Sequence, residues 1–188
     1  YKYNATTQRT LCMNCNSISK LSSLKTTVLF KDHSNTIWLG SDSGLFSYDL
    51  DLDSIIRYPL EIGMINSIAN GQKNEIWVGS SDGLVRVING PNGDYKLYRK
   101  SNSKSSIVSN YIKDLAWDQS RNMLWIATDN GISRYIPFED KFFNIQTTPY
   151  ADSIVENDIS ELMVATRSGR LWYTTATEPG INCLSVDF

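Results

Sequence analysis

Leu124–Ile132 reads LWIATDNGI, and the same construction stands at three other places: IWLGSDSGL at Ile37–Leu45, IWVGSSDGL at Ile76–Leu84 and LMVATRSGR at Leu162–Arg170. All four fit one pattern: aliphatic, Trp or Met, aliphatic, Gly or Ala, Ser or Thr, two variable residues, Gly, then usually an aliphatic. The starts at 37, 76, 124 and 162 are 39, 48 and 38 residues apart. A four-residue apolar run bounded by turn residues predicts a strand buried on both faces. Gly40, Gly79, Ala127 and Ala165 leave room there for the close approach of a neighbouring element. Gly44, Gly83, Gly131 and Gly169 then close a tight turn that calls for positive φ, which a Cβ penalises.

Working outward, each motif is preceded by a short apolar stretch ending in a polar turn: TTVLFKDHSN, INSIANGQKN, IKDLAWDQSRN and SIVENDIS. Each is followed by an alternating strand, a polar turn and another strand, as in LFSYDLDLDSIIRYPL and ISRYIPFEDKFFNI. The unit is therefore strand A, turn, strand B, Gly turn, strand C, turn, strand D, a meander of four antiparallel strands. Periods near 40–45 residues belong to propeller blades. The expected fold class is all-β, a partial ring of about four and a half β-propeller blades. Residues 1–23 supply the C and D strands of a preceding blade plus a linker, and blades follow at 24–62, 63–107, 108–150 and 151–188. Because an open arc exposes raw strand edges, further sequence is expected to complete the ring.

Composition excludes several classes. Hydrophobic residues make up 41% and charged residues 20%, the balance of a globular protein rather than a disordered one. The formal charge is −2 and the Lys and Arg residues are scattered, which argues against a nucleic-acid surface. No apolar run reaches the roughly 18–20 residues that span a bilayer. Cys12 and Cys15 form a CxxC pair and Cys183 stands apart, with no second CxxC to complete a zinc site. They are read as thiols in or beside strands. His33 lies in the A–B turn DHSN without a ligand partner at metal spacing, and the acidic run 49–53, DLDLD, lacks the Gly and terminal Glu of a calcium loop. No metal and no cofactor is expected. Asn4-Ala5-Thr6 matches a glycosylation sequon by pattern alone. GxSxG, HExxH and P-loop motifs are absent from the sequence.

Trp38, Trp77 and Trp125 invite a reading as sugar-stacking platforms, but their place inside strand B makes them packing residues between blades. Trp117, in strand A, faces either the central channel or a neighbouring blade. Ligand contacts are expected on one rim, where B–C turns and D–A connections cluster on a rigid scaffold. The candidate set there is Asp42, Asp82, Tyr111, Asp129, Asn130 and Arg167, with Asn66 and Asn110 nearby. The competing explanation is that Asp, Asn and Ser occupy these places because tight turns favour them.

With these residues in view, 109–145 resembles a two-component regulator propeller repeat, through Ile112, Asp114, Asp118, Leu124, Trp125, Ile126, Thr128, Gly131, Arg134, Tyr135 and Phe143. The first unit is similar through Asp32, Ile37, Trp38, Gly40, Gly44, Leu45, Tyr48 and Asp49. The second keeps Ile76, Trp77, Gly79, Gly83 and Leu84 but has Val87 where the Tyr usually sits, and the fourth departs most, with Met163 for Trp. The resemblance implies the periplasmic sensor region of a Bacteroidetes hybrid receptor, whose membrane helix, histidine kinase and DNA-binding modules lie elsewhere. It implies a response to glycan-derived signals and regulation of transcription, with an oligosaccharide ligand and the rest of the receptor as partners, and a homodimer as an open possibility. The region itself is read as non-enzymatic. A protein-interaction platform is the second reading, and a propeller lyase or hydrolase the third.

Overall fold

The computed structural model describes residues 2–4, 9–11, 24–49, 54–88, 90, 93–148, 153–165 and 168–185. The repeat folds as the meander its pattern predicts. β1 (Lys2–Asn4) and β2 (Arg9–Leu11) pair antiparallel. β3 (Thr26–Lys31), β4 (Ile37–Ser41), β5 (Gly44–Asp49) and β6 (Ser54–Arg57) form a four-stranded sheet in chain order. So do β7 (Ile65–Asn70), β8 (Glu75–Ser80), β9 (Gly83–Ile88) and β10 (Tyr95–Tyr98). The third sheet is β11 (Ile112–Asp118), β12 (Met123–Thr128), β13 (Gly131–Ile136) and β14 (Lys141–Ile145). Among the described residues the last sheet has three strands, β15 (Ile159–Ala165), β16 (Arg170–Thr175) and β17 (Asn182–Ser185).

The sheets touch mainly through their first strands: β3 lies beside β7, β7 beside β11 and β11 beside β15. These are the inner strands of a fan, and each following sheet packs face to face on the one before. Three apolar clusters fill the three interfaces. Trp38 lies under Ile65, Ile68, Ile76, Val78 and Val87; Trp77 under Ile112, Leu115, Leu124, Ile126 and Tyr135; Trp125 among Ile159, Leu162, Leu171 and Tyr173. The three indoles are at most 1% exposed. Burying one such side chain stabilises by roughly 1.5–3 kcal/mol. Arg86 and Arg134, directly opposite Trp77 and Trp125 on strand C, stack over those rings at 5.6 and 5.9 Å. Trp117 is partly buried against the second cluster, so it faces a neighbouring blade.

The last blade is registered differently from the expectation. The LMVA segment is not strand B: Leu162 pairs with Tyr173 and Met163 with Trp172, so β15 is the inner strand and β16, carrying Leu171-Trp172-Tyr173-Thr174-Thr175, is strand B. SIVENDIS therefore precedes or enters strand A, and Gly169, with φ +65°, belongs to the A–B turn rather than the B–C turn. Hydroxyl chemistry confirms the new register. Ser41, Ser80 and Thr128 end their B strands and donate to the carbonyls of Gly44, Gly83 and Gly131 at 3.0, 2.8 and 2.7 Å. Thr175 does the same three residues on, to Glu178 at 3.0 Å.

In the three regular blades this hydroxyl also accepts a turn N–H, from Ser43, Asp82 and Asn130 at 3.0, 3.2 and 3.0 Å. The following Gly has φ near +120° each time. At Gly131 a Cβ would stand 2.5 Å from the Ile145 carbonyl oxygen. Gly131→Val should therefore cost about 1–3 kcal/mol through backbone strain, more where the collision moves β14. Chemical denaturation reads this directly, and an unchanged midpoint contradicts the turn assignment.

Two buried phenols make stability depend on alkaline pH. Burial pushes Tyr58 up to about 12, and it raises Tyr135 as well, with Tyr98 beside it adding to the shift. Both are held protonated in the fold, whereas an unfolded tyrosine ionises near pH ~10. Their contribution is fully present below that value and is lost as the pH climbs through the folded values. The denaturation midpoint should fall steadily above about pH 10, less steeply in Tyr58→Phe; a flat profile would contradict the burial of these rings.

Candidate functional site

Because the strands alternate in direction, B–C turns and D–A connections share one end of the fan, and A–B turns lie at the other. The B–C turns are braced from the D–A side. Ser81 and Asp82 donate their N–H groups to the carbonyls of Met64 and Ile62 at 2.9 and 3.1 Å, while the Ser81 hydroxyl accepts from Met64 N–H at 3.1 Å. Gly83 and Gly131 donate to Asn110 and Asn157 at 2.8 and 2.6 Å. Asn110 in turn accepts from Lys100 N–H at 2.6 Å, and Asn157 accepts from Thr147 N–H at 2.8 Å. The rim is thus a hydrogen-bonded scaffold rather than a set of loose loops.

The structure sorts the candidate residues. Asp42, Asp82 and Asp129 stand in equivalent turns. Asp82 is committed to the scaffold: its carboxylate pairs with Arg99 at 2.8 Å, and Arg99 also reaches the carbonyls of Asp82 and Glu61 at 3.1 and 2.9 Å. Asp42 accepts from the Ser43 hydroxyl at 2.9 Å and is exposed, as is Asp129. Asn130 is half-buried and its carbonyl accepts from Gln146 at 3.0 Å. Tyr111 is 38% exposed on the D–A connection, next to Asn110, whose carbonyl accepts from Gly83 in the second blade's turn. Arg167 lies outside the described residues. Cys12, Cys15 and most of DLDLD also lie outside the described residues. His33 is exposed in an A–B turn, at the far end from the rim. Its neighbour Asp32 is occupied, accepting from the N–H groups of Ser34 and Thr36 and from the Trp38 indole at 2.8, 3.0 and 2.8 Å. Among the described residues no group of three or more His, Cys, Asp or Glu is placed to hold a metal.

The inner strands hold a second set of polar residues; Asn66, expected among the rim candidates, belongs to this set, and Asp114 is a position of the repeat. Each begins with a β-bulge, at residues 26–28, 65–67, 112–114 and 159–161. The bulge points two side chains at the next blade. The first of the pair acts as a donor: Thr27 to the Ile65 carbonyl at 2.5 Å, Asn66 to the Ile112 carbonyl at 2.7 Å, and Lys113 in an ion pair with Asp158. The second acts as an acceptor: Ser67 from Leu115 N–H at 3.2 Å and Asp114 from Leu162 N–H at 2.8 Å. Asp114 also accepts from Ser67 at 2.8 Å, so one carboxylate joins three successive blades. Asp114→Ala should cost about 1–3 kcal/mol by stranding these donors, with Asp114→Asn intermediate. Equal stability of Asp114→Ala and the native chain contradicts this role.

No family model matches the chain, and no curated protein matches it in sequence. Among solved structures the chain is similar to one described as the extracellular domain of a B. thetaiotaomicron hybrid two-component system, BT3049, at TM-score 0.68 and 19% identity, over 95% of this chain and 24% of that one. It is similar to the corresponding domain of BT4673 from the same organism at TM-score 0.53 and 19% identity, over 85% and 28%. It is also similar to a catalytically inactive virginiamycin B lyase from Staphylococcus aureus with quinupristin, at TM-score 0.56 and 16% identity, over 89% and 57%. The chain spans about a quarter of the length of the two B. thetaiotaomicron domains. At these identities the likeness is one of fold. Among the described residues no helix is long and apolar enough to cross a membrane.

Proposed function

We propose that this chain is part of the extracytoplasmic, ligand-sensing propeller of a hybrid two-component receptor, and that its braced B–C rim contributes to recognition. The observation that carries the reading is the rim itself. Equivalent turns held by the same hydroxyl bonds present Asp42 and Asp129 to solvent, and Tyr111 is exposed on a D–A connection at the same end. Exposed carboxylates that accept hydroxyl hydrogen bonds, with an aromatic side chain at the same end of the fan, suit a neutral polyhydroxylated ligand such as an oligosaccharide. The sequence resemblance and the likeness to two extracellular receptor domains support the same reading. Binding alone suffices for such a role, because a ligand shifts a receptor only through different affinities for its states. Transcriptional control by a kinase elsewhere in the receptor, and a periplasmic location, follow from the same proposal.

A lyase neighbour raises the enzymatic alternative. Acid–base catalysis at the rim needs an acid and a base within reach of one substrate; the chain's one histidine lies at the opposite end, and Asp42 and Asp129 stand on turns of different blades. The third reading is accordingly the weaker one.

The test is a thermal-shift screen against glycan-derived oligosaccharides. A ligand at ~100 times its Kd stabilises by about 2.7 kcal/mol, a readable shift. Asp129→Ala and Tyr111→Ala should each abolish that shift while leaving the unliganded midpoint unchanged, and the oligosaccharide should be recovered intact. Turnover of the sugar, or a shift indifferent to both substitutions, contradicts the proposal.

A further inference from the structure

The three interfaces between blades obey a size rule that the fourth blade breaks. Two residues after the strand-B tryptophan, Gly40 and Gly79 admit the first residue of the next inner strand so closely that a Cβ would lie 2.5 Å from the γ-carbon of Ile65 and of Ile112. Ala127 meets Ile159 in the third interface. The same position on β16 is Thr174, two residues after Trp172. Its branched side chain occupies the space that receives an isoleucine in the other three blades.

The rest of that face repeats the interface pattern without its cover. Trp172 takes the place of Trp38, Trp77 and Trp125 but is only half-buried; Met163 opposite it is 62% exposed, and Ile181 is 72% exposed. Cys183, directly opposite Trp172 on β17, is exposed, whereas Ser47 at the matching place in the first blade is 1% exposed. Glu161 follows the bulge at the position where Ser67 and Asp114 each accept an N–H from the fourth inner-strand residue of the next blade.

We propose that the β15–β17 face seats a further blade of the same repeat whose first inner-strand residue is alanine or glycine, and whose fourth inner-strand N–H is bound by the Glu161 carboxylate. Continuity with three interfaces built around the same tryptophan and small residue identifies the occupant, and Thr174 sets its departure from them. The inference is independent of the sensor reading, because it concerns what covers the sheet and not what the rim binds.

The test extends the chain after Phe188 with a second copy of residues 105–148, in two forms: one keeping Ile112 of the copy and one with Ile112→Ala in the copy. Alkylation of Cys183 by N-ethylmaleimide, resolved by peptide mass spectrometry, reports whether the face is covered. The alanine copy should slow Cys183 at least tenfold against the unextended chain, and the isoleucine copy should protect it less. Thr174→Ala should restore protection by the isoleucine copy, and Glu161→Ala should weaken protection by the alanine copy. Protection by the isoleucine copy equal to that by the alanine copy overturns the size rule. No protection by the alanine copy overturns the docking, whether or not that copy folds, since a lone blade cannot bury its own face. Protection of the unextended chain that grows with its concentration makes a second copy the occupant and equally overturns the proposal.

Discussion

The close approach of one inner strand to the B strand before it is the constraint on which the rest depends. Where Gly40 and Gly79 stand, the next blade's isoleucine fills the volume of the absent side chain. That contact seals the tryptophan two residues away beneath the following sheet. A four-stranded blade has two apolar faces and cannot bury them alone, so neighbouring blades supply the core that each lacks. The bulges at the starts of β7 and β11 then each direct one donor and one acceptor side chain at the next blade, and that of β3 a donor alone, converting a slippery apolar contact into a registered one.

The same economy fixes the rim. In the three regular blades a serine or threonine at the end of the B strand holds the Gly turn from both sides, and the D–A connection is hydrogen-bonded onto that turn. Rigid turns present their remaining polar groups at set positions, which is what recognition on a loop surface requires. Asp82 shows the cost of reading such residues by type alone. It looks like Asp42 and Asp129, yet its carboxylate is spent on Arg99 and the adjoining connection.

Much of the fold was legible because the repeat couples residues close in sequence. Trp, the small residue two positions on, the hydroxyl and the turn Gly all lie within nine residues, so pattern and periodicity expose them together. Two things escaped. The inter-blade ties of Ser67 and Asp114 join residues 47 and 48 apart, so the repeat shows Asp114 but not its partners, and the bulge that aims them leaves no mark in the composition. The last blade was placed one strand out because LMVATRSGR imitates the B-strand motif with Met163 and Gly169. Trp172 followed by two threonines was the stronger signal, since only a tryptophan fills the inter-blade site.

Each blade is held chiefly by the blade that follows and the one before. Residue-resolved amide hydrogen exchange tests it most directly. Strands β7 and β11, covered on both faces, should exchange slowest, with β15 faster, and Leu115 N–H, bound by Ser67, and Leu162 N–H, bound by Asp114, should each be well protected. Outer strands β6, β10 and β14 as slow as the inner ones, or unprotected amides at Leu115 and Leu162, would contradict it.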